Sequence, residues 1–237
     1  MAMVPQCKYN IMALITLGCS ITCQPGWKEA LAGKLSTDLI NLSESAGSNT
    51  LQIQRLHEHI INNSLTDEDI IIWQVTAPRF SLRLKSTDNN VRIASEIQIT
   101  QFVPKDHYHS VTKSVNFFDN LPRIDLLCNS TMIDQNTKLN FDSNQDLETL
   151  LATLILLKKA HKKLLVFVGW DSAIEHKEKF FTKLSEHNVD CVKESLVDWV
   201  KSNNLSMRDG RHPSLDSYVS YGLTVLAPKL QDLGWVS

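Results

Sequence analysis

Apolar positions along this chain fall into short runs of two kinds. Some runs are continuous. IMALITLG (residues 11–18) is unbroken and closes on glycine, DEDIIIWQVT (67–76) carries an Ile-Ile-Ile-Trp core behind an acidic turn, and LLVFVGW (164–170) repeats the pattern. Apolar runs without alternation predict strands covered on both faces. Other runs recur every three or four residues. Trp27, Leu31 and Leu35 share a helical face within 26–36, and Leu51, Ile53, Leu56, Ile60 and Ile61 make 49–64 amphipathic. The stretch 146–163 opens with acids and closes with lysines, as the helix macrodipole prefers, and its stripe Leu150, Leu151, Leu154 and Leu157 reads as helix packing. Residues 38–45 read as a second short strand, 172–188 as a polar helix, 189–202 as a short strand running into helix, and 214–236 as a final amphipathic helix.

The strand–helix–strand–helix–strand order of the first third predicts a mostly parallel sheet with helices on both sides, a three-layer α/β/α sandwich. Residues 81–145 break the regularity. They are rich in Asn, Asp, Ser and Thr with islands such as NFFDNL, and read as a variable insertion containing some helix, a lid or a partner surface. With no repeat, low-complexity tract or linker, the expectation is one domain over 1–237 with that insertion.

Composition narrows the class. A hydrophobic content of 43% and a charged content of 21% over 237 residues are ordinary for a globular chain. The formal net charge of -2 gives no electrostatic reason to expect nucleic acid as a partner, and no apolar run approaches the ~18 residues that span a bilayer. The cysteines Cys7, Cys19, Cys23, Cys128 and Cys191 are odd in number and scattered, which suits reduced thiols in a cytoplasmic protein. Export is the alternative, since Lys8 precedes an apolar run that ends Leu17-Gly18-Cys19; against it, the run is short and Thr16 stands where a lipoprotein signal has a bulky aliphatic. His107 and His109 share a strand face but lack further ligands nearby, so no metal and no cofactor is expected.

Three polar clusters follow predicted strands or precede helices: Gly18-Cys19-Ser20, SESAGSNT (43–50) and DGRHPS (209–214). In an open parallel sheet, ligands bind beyond the carboxyl ends of the strands. A serine in such a turn holds its hydroxyl out of the sheet, with unpaired helix N–H groups behind it for a developing oxyanion. Ser20 needs a base, for which His212 is the candidate, and Asp209 in the same loop can orient the imidazole. Gly47 permits close backbone approach and offers a second N–H, and Asn49 offers a third donor. Arg79, after the third strand, is placed to hold an anionic or hydroxylated substrate or to form a surface salt bridge. Trp73 and Trp170 read as core, and His57, His59, His161, His176 and His187 as solvated helix positions.

These clusters resemble the blocks of the SGNH, or GDSL-type, hydrolases. Their Gly-Asp-Ser block matches Gly18-Cys19-Ser20, with Cys in the Asp position. Their block glycine falls on Gly47, and their Asp-x-x-His block matches Asp209-Gly210-Arg211-His212. Their Gly-x-Asn block has no match in WQVTAPRF (73–80), where Thr76 stands near the glycine position. Asn49, or failing that Gln74 or Thr76, would supply the missing donor. The resemblance covers roughly residues 11–80 and 146–232. It implies the flavodoxin-like SGNH hydrolase fold and a serine esterase or O-deacetylase acting through an acyl-enzyme on a small-molecule or carbohydrate O-acyl ester. An O-acyltransferase on the same scaffold and a catalytically silent carbohydrate-binding module are the alternatives. Ser20 as a simple helix cap, Gly47 as a turn glycine and His212-Pro213 as a plain turn are the structural readings of the same residues.

Overall fold

The computed structural model describes residues 12–45, 47–76, 79–85, 96–102, 143–170 and 177–236. The continuous apolar runs are strands: β1 (Ala13–Leu17), β3 (Ile70–Val75) and β6 (Leu164–Val168), each buried along its whole length. With β2 (Asp38–Asn41) and β7 (Asp190–Val192) they form a five-stranded sheet in the order β2-β1-β3-β6-β7. Every pairing in it is parallel, with Leu14 opposite Ile70 and Ile71 opposite Leu164. The three buried strands are the central ones, which is why their sequences show no alternation.

Successive side chains of a strand still point to opposite faces, and each face has its own helices. Ile15 and Leu17 of β1, Ile71 and Trp73 of β3, and Val166 of β6 pack with Leu56 of α3 (Asn49–Asn62), Leu150 and Leu154 of α4 (Ser143–Ala160), and Phe181 and Leu184 of α5 (Lys177–Glu186). Leu14, Ile72 and Phe167 face the other way. They pack with Trp27 and Leu31 of α2 (Trp27–Leu35), Val197 and Val200 of α6 (Leu196–Ser202), Tyr218 and Tyr221 of α7 (Leu215–Tyr221), and Leu230 of α8 (Ala227–Asp232). The result is the expected three-layer α/β/α sandwich. Its order is the flavodoxin-like one, whose switch point lies between β1 and β3.

Several expectations change in detail. The strand expected over 38–45 ends at Asn41, because the Asn41 carboxamide turns back to accept from Ser43 N–H at 3.1 Å. The single final helix is three segments, α7, a π-helical turn at Gly222–Leu226, and α8. Pro228 has no N–H for the Thr224 carbonyl and its ring crowds that carbonyl, so the ladder shifts register and Ala227 N–H reaches back to Gly222 O. Within 81–145 the described residues include a strand pair as well as the start of α4: β4 (Arg79–Lys85) pairs antiparallel with β5 (Glu96–Phe102) in a separate two-stranded ribbon. His161, expected in solvent, is buried with Nε2 2.8 Å from Asp69 O. Cys7, Cys128, the NFFDNL island, His107, His109 and His176 lie outside the described residues. Among the described residues no helix is long and apolar enough to cross a membrane.

Candidate active site

The site is built where β1 ends. The chain leaves Leu17, turns through Gly18 and Cys19, and enters α1 (Ser20–Cys23), a helix of only 4 residues with no side-chain N-cap bond. Thr22 N–H and Cys23 N–H donate to Cys19 O at 3.0 and 2.8 Å, which closes the turn. Ser20 is then the first helical residue, half-buried, and its N–H has no intrahelical acceptor. The loop after β2 runs beside this turn, because Leu42 N–H donates to Thr16 O at 2.8 Å and Glu44 N–H to Gly18 O at 3.1 Å.

The third cluster arrives from the far end of the chain. Residues 206–214 form a tight loop pinned by an antiparallel bridge between Met207 and Pro213 and by Arg208 N–H on His212 O at 2.7 Å. Ser214 caps α7 by accepting from Ser217 N–H. At the loop tip the Asp209 carboxylate accepts from the backbone N–H groups of His212 at 2.7 Å and Arg211 at 3.0 Å. Its other oxygen lies 3.0 Å from His212 Nδ1, and His212 Nε2 lies 3.1 Å from Ser20 Oγ. Hydroxyl, imidazole and carboxylate thus stand in one hydrogen-bonded line. The backbone bonds from His212 and then Arg211 hold the Asp209 carboxyl well below the usual carboxylate range. Arg208 ties the same loop to α1, with Nη1 donating to Gln24 Oε1 at 3.1 Å and Nη2 3.3 Å from Asp209.

The residues expected to complete an oxyanion hole are bonded to neighbouring main chain. Gly47 N–H donates to Glu44 O at 2.9 Å, and the Asn49 side chain exchanges two bonds with the main chain of Thr76, Nδ2 to Thr76 O and Thr76 N–H to Oδ1, both at 3.1 Å. These bonds staple the loop after β2 onto the end of β3, and Asn49 and Thr76 are fully buried. Gln74 is buried beneath the Ser20 turn and bonds Cys19 and Thr22. Arg79 is the first residue of β4, and its side chain lies outside the described residues. The N–H of Ser20 is the donor that this arrangement leaves beside its own hydroxyl. Among the described residues no cluster of three His, Cys, Asp or Glu side chains has metal-holding geometry.

One participant was read as core. Trp170 follows β6 at the same sheet end. It is half-buried, its indole N–H donates to Arg211 O at 3.2 Å, and its ring meets the His212 ring edge-on at a centroid distance of 6.0 Å. Its place just past the carboxyl end of a central strand was the available signal. Trp170→Phe keeps the ring and removes the bond to the histidine loop. A neutral bond contributes about 1 kcal/mol of stability, so thermal melts should show a drop of about 2–4 °C.

No family model matches the chain, and no curated relative matches it. The fold has solved counterparts. TesA superposes with a TM-score of 0.54 at 14% identity over 94% of this chain and 99% of its own. The esterase EstA from Pseudoalteromonas sp., in a structure inhibited by monoethylphosphonate, gives 0.53 at 12% over 94% and 98%. A candidate SGNH hydrolase from Slackia heliotrinireducens gives 0.52 at 13% over 93% and 100%. The fold is that of the SGNH hydrolases.

Proposed function

On this SGNH-hydrolase scaffold, we propose that the protein is a serine-dependent acyl ester hydrolase. The observation that carries the reading is the unbroken contact line from Ser20 Oγ through the His212 ring to the Asp209 carboxylate, between residues 192 positions apart. Two hydrogen bonds of suitable length, meeting on one imidazole at the carboxyl end of a parallel sheet, match the nucleophile–base–orienter logic of serine hydrolases.

In this reading Ser20 Oγ attacks the carbonyl carbon of an O-acyl ester while His212 Nε2 takes the hydroxyl proton. Asp209, kept ionised by its two backbone donors, fixes the ring with Nδ1–H toward the carboxylate and stabilises the imidazolium. The carbonyl oxygen becomes an oxyanion facing the Ser20 N–H. His212 then gives its proton to the departing alcohol, the C–O bond breaks, and an acyl-Ser20 remains. Water, deprotonated by His212, releases the acid and restores the serine. Gly47 joins the oxyanion site by exchanging its bond to Glu44 O, and Asn49 engages Thr76 O with one of its two carboxamide N–H groups. Each preformed donor is worth about 10²–10³ in rate, so turnover is expected to be slow to the extent that the Ser20 N–H acts without the others. The neighbours' names point to esters as the substrate class, and the sequence resemblance to short-chain esters or O-acetylated sugars.

The test is a fluorophosphonate probe followed by peptide mapping, a choice that EstA's inhibition by a phosphonate makes natural. An adduct at Ser20 that disappears in His212→Ala supports the reading. Labelling at another residue, or none on folded protein, overturns it.

A further inference from the structure

We propose that Gln74 is a positioning residue for the nucleophile, its buried amide fixing the turn that carries Ser20. The inference rests on the hydrolase reading above. Gln74 is the one polar residue in the strand sequence IIIWQV, and its side chain is fully buried. An interior amide is strongly disfavoured unless its polar atoms are bonded, and all but one of the bonds it makes serve one turn. Gln74 Oε1 accepts from Cys19 N–H at 3.1 Å and from the Thr22 hydroxyl at 2.9 Å. Nε2 lies 3.2 Å from Cys19 Sγ and 3.4 Å from Val75 O. One partner directly precedes Ser20 and the other follows it by two residues, so a single amide brackets the nucleophile.

The strands on either side leave room for this amide. A Cβ on Gly18, at the end of β1, would sit 2.5 Å from Gln74 Oε1, and one on Gly169, at the end of β6, 2.6 Å from Nε2. The amide therefore occupies a slot between the carboxyl ends of the three central strands, directly under the Ser20 turn. The turn needs that support. A helix of 4 residues without a side-chain cap does not hold its own geometry, and the line from Ser20 Oγ to His212 exists only while Cys19 and Thr22 keep their places. Fully buried, with both ends of the amide engaged, Gln74 acts through the turn rather than on the oxyanion.

Gln74→Met keeps the length and removes the bonds. Displacing a reacting group by about 1 Å lowers rate on the order of 10²-fold. Phosphonylation of Ser20 and kcat should fall by that factor with KM unchanged, and hydrogen exchange at the Cys19 amide should accelerate. Gln74→Glu, which burial holds as the neutral acid, keeps a carbonyl acceptor for Cys19 N–H and the Thr22 hydroxyl, and its O–H can donate to Val75 O in place of Nε2. It should recover most of the loss, whereas a packing role would be served better by Met. Thr22→Val, isosteric and gentler on folding, should lower labelling about fivefold and add nothing in the Gln74→Met background. A folded Gln74→Met protein that labels at the parental rate, or whose Cys19 amide stays equally protected, overturns the proposal; if that variant does not fold, unchanged labelling in Thr22→Val does so. Failure of the parent protein to label at Ser20 counts against the hydrolase reading instead, and the Cys19 exchange comparison still decides the role of Gln74.

Discussion

Ser20→Ala is expected to lower ester turnover by roughly 10⁴- to 10⁶-fold and to leave the protein folded. The size follows from what the hydroxyl does in the proposed mechanism: without it no acyl-enzyme forms, and only residual stabilisation by nearby donors remains. The fold is spared because Ser20 Oγ bonds nothing but His212 and the residue is half-buried at the first position of α1, where it makes no capping bond. Substitutions of that kind usually change stability by about 0.5 kcal/mol or less. His212→Ala should match the loss, and the double variant should be no worse than either single one, since the two groups act as a unit. Steady-state rates on a chromogenic short-chain ester, with thermal melts alongside, measure all three. A Ser20→Ala protein with undiminished turnover removes the triad altogether.

Asp209→Asn carries the second large effect, about 10⁴-fold in kcat, for a subtler reason. The asparagine carbonyl can still accept from His212 N–H and Arg211 N–H, so the loop keeps its shape. Its amide nitrogen then faces His212 Nδ1 as a donor. That favours the tautomer with the proton on Nε2, which points a proton at Ser20 Oγ where the mechanism requires a lone pair. The variant also has a pH signature. The folded-state pKa of Asp209 is depressed, so its contribution to stability is fully present above the unfolded value of about 3.9 and is lost only as pH falls through the lower folded value. Melts of parent and variant taken from pH 7 downward should therefore keep a constant gap to about pH 4 and begin to converge only below it. A gap that widens with acid contradicts the assignment.

The layered architecture was legible because burial on both faces leaves a plain mark: Ile70 to Trp73 and Leu164 to Val168 contain no polar residue. The contact of Ser20 with His212 followed from chain order and the rule for strand ends, with no local sequence signal joining the two. What escaped the reading turns on bonds that sequence does not encode. Gly47 offers an N–H in any turn, but whether Glu44 O has already taken it is a matter of loop path. Asn49 has the right chemistry for an oxyanion and uses it on Thr76. Trp170 packs against both core layers as its bulk suggests, and its indole N–H also reaches Arg211 O. The stretch 214–236 reads as one helix by its periodicity, and the wider turn that accommodates Pro228 at Gly222–Leu226 is a tertiary solution.

The placement of β1 at the centre of the sheet has a consequence for synthesis. The strand is made before the partners it needs: β3 begins at residue 70, β6 follows at residue 164, and the imidazole comes only at residue 212. A ribosome-bound chain therefore exposes the Ser20 turn long before it can hold the base against it. Until residue 212 has emerged and its loop has docked, Ser20 has no imidazole beside it, and under the proposed mechanism it is an ordinary alcohol.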